Sequence, residues 1–215
     1  MGLVASLALV TLAAGAPRAL VVRVTDAAAP CVEAAARGTD PARPPLVLNV
    51  GPLEGEGDLF IGSAAAVTRA IESGAALDDD ETDVARIPWV LSVAPGALPG
   101  LRDLADLLER DVVVGVLAGA EFVEARRALA AFPEDRVREA EDPRALNTAL
   151  VTLTPLSLAP PGRRIAVEGV PALLVRGAVG ARARNAGAAR SVLRYLAGAA
   201  GERGAAACGP LKPSP

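Results

Sequence analysis

The chain alternates short aliphatic, β-branched runs with Ala-rich stretches of helical period, and it does so over most of its 215 residues. Leu20–Val24, Leu46–Val50 and Asp58–Ile61 read as strands. Ala27–Arg37 reads as a helix stopped by Gly38. Ser63 stands as the N-cap of a helix over Ala64–Ser73, closed by Gly74. Asp78–Asp83 reads as an acidic, solvated loop. Ile87–Val93 reads as a strand whose Pro88 marks an edge or a crossover. Further along, Leu101–Leu108 carries a helical stripe and Val112–Val116 is a continuous apolar run. Gly119–Phe132 and Pro143–Leu150 read as helices, the second with Asp142 as its N-cap. Val151–Leu158, Arg163–Val167 and Ala172–Val175 read as strands, and a helix over Ala186–Ala199 follows. Such alternation predicts an α/β fold with mostly parallel sheets. The length suits one domain or two small lobes.

Composition removes several function classes. The chain has no histidine, which excludes Ser-His-Asp and Cys-His catalysis and any His-ligated metal. Its aromatic residues are Phe60, Trp89, Phe122, Phe132 and Tyr195, too few for base stacking on single strands. A net charge of −3 carries no nucleic-acid footprint. General bases are limited to carboxylates and Lys212. Asp58 sits where a turn or cap residue belongs, and Glu54 and Glu56 lie in a Gly-rich loop without a visible partner. No catalytic residue, metal site or cofactor is expected.

Residues 1–16 carry no charged side chain, and an apolar run over Leu3–Leu12 leads to Ala14-Gly15-Ala16, a pattern that signal peptidase accepts. The expectation is a signal peptide over 1–16 and a periplasmic or extracellular protein; a buried first helix is the alternative. Cys31 and Cys208 are the only thiols. In an oxidising compartment they suit one disulfide, worth roughly 4–5 kcal/mol on chain entropy. Two buried, unpaired thiols would fit the sequence as well.

Four stretches, in order, are similar to the periplasmic solute-binding proteins of ABC importers, of the type II, molybdate-binding kind. They are Val24-Thr25-Asp26-Ala27-Ala28-Ala29; Asp58-Leu59-Phe60-Ile61-Gly62-Ser63 with its helix and Gly74; Trp89–Pro95 with Gly100-Leu101-Arg102-Asp103-Leu104-Ala105; and Asn185-Ala186-Gly187-Ala188-Ala189-Arg190 with Leu193, Tyr195, Leu196 and Cys208-Gly209. The resemblance implies two α/β lobes, residues 17–91 with 170–215 and residues 92–169, joined by two crossing strands. It implies a small oxyanion such as molybdate or tungstate in the interlobe cleft, an ABC importer membrane subunit as partner, and a monomer. Hydroxyls and backbone amides at helix N-termini can hold such an anion. The candidate donors are Thr25, the Ala27 and Ala28 amides, Ser63, the Ala118 and Gly119 amides, Thr154 and Ser157; cap or turn chemistry is the plainer role for each.

The chain also departs from that pattern. Ala29 stands where the family carries a hydroxyl, and the Gly51–Gly57 stretch runs directly into Asp58, so one helix of the first lobe is missing. Glu121 falls in the first turn of the helix after Gly119, where it competes with an anion for the same dipole. These departures raise an alternative function, a degenerate binding-protein fold used for protein interaction or sensing.

Overall fold

The computed structural model describes residues 18–37 and 43–198, and the statements below concern those residues. The expected signal peptide and Cys208 lie outside them. Five strands, β1 (Leu20–Val24), β2 (Leu46–Val50), β3 (Leu59–Ser63), β4 (Thr82–Ile87) and β10 (Leu173–Val179), form a first sheet in the order β2-β1-β3-β10-β4. A second sheet has the order β7-β6-β8-β5-β9. Its strands are β5 (Trp89–Val93), β6 (Val114–Leu117), β7 (Val137–Ala140), β8 (Val151–Pro155) and β9 (Arg163–Ala166). The helices are α1 (Ala29–Ala36), α2 (Ala64–Glu72), α3 (Leu104–Leu108), α4 (Val123–Ala128) and α5 (Ala186–Ala197).

The sheets are mixed rather than mostly parallel. β1 pairs in parallel with β2 and β3, and β6 with β7 and β8, whereas β10 and β5 pair antiparallel with both their neighbours. The physical reason is the connection between the halves. β10 and β5 belong to the two stretches of chain that cross between the sheets, so each enters its sheet against the direction set by the βαβ units.

Pro88 explains why one predicted strand is two. It has no N–H to continue a ladder, and the chain changes sheets there, from β4 to β5. The return crossing is 167–172. The two crossings are tied together: the Trp89 indole Nε1 donates to the Pro171 carbonyl at 2.9 Å, and the Val167 N–H donates to the Trp89 carbonyl at 3.2 Å. One apolar cluster runs through both halves, from Leu20, Val22 and Ile61 in the first sheet through Ile87 and Trp89 to Val114, Leu153 and Phe122 in the second. A smaller cluster of Leu53, Phe60, Val67, Ala70 and Ala178 lies under α2.

Asp58 is 6% exposed. Its carboxylate accepts from the Val21 N–H at 2.8 Å and from the Arg184 N–H at 2.9 Å, and its own carbonyl accepts from the Gly180 N–H at 3.0 Å. One side chain thereby joins the edge of β1, the start of β3 and the segment leading to α5. Cys31, buried in α1, is disulfide-bonded.

Between β2 and β3 no helix forms. Residues 51–58 cross over in extended and bent conformations, and eight residues reach up to about 26 Å, enough to return to the start of a five-residue strand. This strap packs Leu53 against the Phe60 cluster and leaves the space beside α2 open. Other elements differ from expectation in length. Residues 143–148 are a 3₁₀ helix, and the predicted helix 119–132 shrinks to a 3₁₀ turn at 120–122 followed by α4. The acidic segment is clasped rather than merely solvated: Arg176 pairs with Glu81 and Asp83, each at 2.9 Å, and Arg190 pairs with Asp80 at 2.7 Å.

Candidate functional site

The open space beside α2 is a cavity of about 660 Å³. One face of α2 supplies Ala66, Arg69, Ala70 and Ser73, at helical spacing. The strap supplies Gly51, Pro52, Leu53 and Glu54, and the end of β1 supplies Thr25 and Asp26. The second half contributes Gly119, Ala120 and Glu121. The cavity is therefore bounded by both halves.

Local sequence builds each wall. Gly119 takes φ +118°, a conformation that favours glycine, and so turns the chain from β6 into the 3₁₀ turn that holds Glu121. Gly62 in β3 leaves room for Thr25, since a Cβ there would lie 2.6 Å from Thr25 Cγ2 and 3.2 Å from its Oγ1. Ser63 caps α2, its hydroxyl accepting from the Ala66 N–H at 3.2 Å. Phe122 packs edge-on against Trp89, ring centroids 6.3 Å apart, which ties the Glu121 turn to the hinge.

Two of the residues that line the cavity each carry a buried side-chain oxygen without a hydrogen-bond partner, Thr25 Oγ1 and Glu121 Oε2. Burial pushes the Glu121 carboxyl above the ordinary glutamate range; a hydrogen bond from Ser63 and the charge of Arg69 offset part of this, and the charge of Asp26 adds to it. The turn that carries this carboxyl, from the second half, packs against α2 of the first. The cavity lining carries four carboxylates (Asp26, Glu54, Glu72 and Glu121) and one cation, Arg69.

The expected site residues divide. Thr25 and Gly119 line the cavity, whereas Ser63 is buried beside it as the cap of α2. Ala27 and Ala28 lie beside it in the turn after β1, with the Ala28 N–H committed to the Thr25 carbonyl at 3.0 Å. The Ala118 N–H is committed to the Ala140 carbonyl at 2.9 Å. Thr154 is buried in β8 opposite Val90, and the Ser157 hydroxyl is buried in the following 3₁₀ turn; neither lines the cavity. Arg69, Asp26 and Glu72 were not singled out from the sequence. Asp26 adjoins Thr25, but an arginine and a glutamate on an amphipathic helix carry no signal of their own.

A consequence of the Glu121 environment can be measured. A carboxyl whose folded-state pKa is raised adds stability that is complete below its unfolded value and is lost as pH rises through the folded value. The melting temperature of the wild type relative to Glu121→Gln should therefore be highest near pH 4 and fall towards pH 7. Asp26, Glu54, Glu72 and Arg69, which share the cavity, are common to both proteins, so their titration largely drops out of the difference. A difference that stays flat with pH would contradict the buried carboxylate.

No protein-family model matches the sequence, and no curated protein matches it. Solved structures do. The sulfate-binding protein SubI from Mycobacterium tuberculosis H37Rv superposes with a TM-score of 0.71 at 14% identity, over 91% of this chain and 88% of that one. The substrate-binding domain of a putative molybdenum ABC transporter from Clostridium difficile gives 0.67 at 15% identity, over 89% and 97%. A periplasmic thiamin-binding protein gives 0.63 at 13% identity, over 89% and 81%. The chain has a periplasmic-binding-protein-like fold. At these identities the likeness concerns the fold alone.

Proposed function

We propose that this chain is the extracytoplasmic solute-binding protein of an ABC importer. It captures a small solute between lobe one (17–91 with 170–215) and lobe two (92–169), and it is not an enzyme. The observation that carries this reading is the cavity bounded by both halves, with unpartnered Thr25 Oγ1 on one wall and Glu121 Oε2 on the other. Its volume lies in the range of small-molecule sites. The fold is shared with solved structures described as binding sulfate or thiamin. Delivery to an importer in the membrane places the protein in the periplasm or outside the cell, as expected of a chain with a signal peptide.

A molybdate- or tungstate-like oxyanion is the ligand that the sequence resemblance implies, and Thr25 and the Gly119 turn are the expected donors that line the cavity. Four carboxylates against one arginine make the lining a poor match for it. Thermal melts against a broad solute panel, from oxyanions to thiamin and amino acids, test the function itself. A solute that binds only the native state adds about 4 kcal/mol at a thousandfold excess over Kd. The reading fails if none of the panel shifts the melt.

A further inference from the structure

Three properties of the cavity bear on the charge of what enters it. Thr25 is only 6% exposed and its hydroxyl is unpartnered. Buried polar atoms are seldom left unpaired, so this hydroxyl marks a place for a ligand group rather than a finished piece of core. Glu121, which lines the same cavity from the other half, likewise has a buried and unpartnered Oε2, and in the ionised form that a cation would favour this oxygen can only accept. Finally, the turn that carries Glu121 packs against α2, so this carboxyl and Asp26 already border the space an anion would enter. An incoming oxyanion would stand against that carboxylate with Asp26 beside it, and like charges in a desolvated site repel strongly.

We propose that the cleft binds its solute through an ammonium head group, and that Glu121 is the residue that sets this choice of charge. The N–H donors of the ammonium complete Glu121 Oε2 and the Thr25 hydroxyl, with Asp26 adding long-range attraction. Arg69, the single cation of the lining, offers a place for a carboxylate at the other end of the same solute. A compact zwitterion therefore suits the cavity better than a bare amine, and either suits it better than a four-oxygen anion. The inference rests on the solute-binding reading above.

The test is titration calorimetry and thermal melting of the full chain with two sets of probes. One set is glycine, lysine, glutamate, putrescine and methylamine; the other is sulfate, phosphate, molybdate and tungstate. At least one ammonium probe should bind, and the oxyanions should not. Glu121→Gln should weaken the binding probe by about ten- to a hundredfold, as expected when the charged partner of a hydrogen bond is neutralised. Thr25→Val, which keeps the shape and removes the hydroxyl, should weaken it less, by about five- to tenfold. Binding should also release protons, read from the buffer dependence of the heat, because a cation beside Glu121 favours its ionised form. Asp26, Glu54, Glu72 and Arg69 share the cavity in both proteins, so the release should shrink in Glu121→Gln. Oxyanion binding to the wild type would overturn the charge assignment and leave the solute-binding function standing. An ammonium probe that binds Glu121→Gln as tightly as the wild type would overturn the role of Glu121. Failure of both probe sets would overturn the assignment, and failure of the broader panel as well would end the function.

Discussion

Trp89→Ala should lower the unfolding free energy by about 3–5 kcal/mol, the usual cost of removing a large aromatic side chain from a packed core. For a chain of this length that corresponds to roughly 6–20 °C in melting temperature. Trp89 is 2% exposed, and its indole lies where the two crossings between the halves meet. Trp89→Phe separates the terms. It keeps most of the buried area and loses the hydrogen bond to the Pro171 carbonyl, so its cost should be about 1–2 kcal/mol. That carbonyl belongs to an exposed residue and can turn to water. The alanine variant should also weaken solute binding, because Phe122, which packs edge-on against Trp89, is the neighbour of Glu121 in the same turn. Chemical denaturation and calorimetry of both variants check this. A stability loss with unchanged affinity would separate the hinge from the cleft.

The sequence made the aliphatic strands legible, the edge strand β2 among them, and the charged edges β4 and β7 much less so. β1, β2 and β8 announce themselves as aliphatic runs, and β3 does so with Ser63 as the visible cap of α2. β4 and β7 were missed as separate strands, and both are sheet edges. An edge strand is covered on fewer sides, so it tolerates Asp83 and Arg86 in β4 and Arg138 and Glu139 in β7, and the apolar signal disappears. The mixed pairing was hidden for a different reason: strand direction follows from which stretches cross between the halves, and local pattern is silent on that. The missing helix could be read because Gly51–Gly57 has no helical period at all.

The candidate site was legible in its parts and illegible in its sign. Thr25, Ser63 and Gly119 follow from turn and cap chemistry, which is local. Glu121 stands out only as a conflict, an acid where an anion should sit. What resolves the conflict is tertiary: the open space left by the 51–58 strap, Arg69 on the face of α2 that borders it, and Asp26 across from Glu121. Removing a helix from the crossover thus changes two things together. It opens the cavity, and it exposes a lining in which carboxylates outnumber the one arginine.

Asp58→Ala should cost about 3–5 kcal/mol, for a reason unlike that of Trp89. It creates little cavity, but it leaves the N–H groups of Val21 and Arg184 without their charged acceptor. Each charge-assisted hydrogen bond of this kind contributes about 1.5–3 kcal/mol, and a buried donor left unpaired adds its desolvation cost. Asp58→Asn discriminates between polarity and charge. Its carbonyl can serve one of the two N–H groups, while its NH₂ must face the other, so it should recover about half of the loss. The effect should extend to the cleft. Val21 belongs to β1, which ends at Val24 just before Thr25, and Asp58 leads directly into β3, which ends at Ser63. Releasing the carboxylate frees the register between these two strands at the end opposite the cavity, so the Thr25 and Ser63 hydroxyls lose part of their fixed spacing. Urea denaturation of the two variants, followed by binding of whichever probe the wild type takes, measures both consequences. A loss below about 1 kcal/mol in Asp58→Ala would mean that water replaces the carboxylate, and that the register of the first sheet is set by its apolar packing alone.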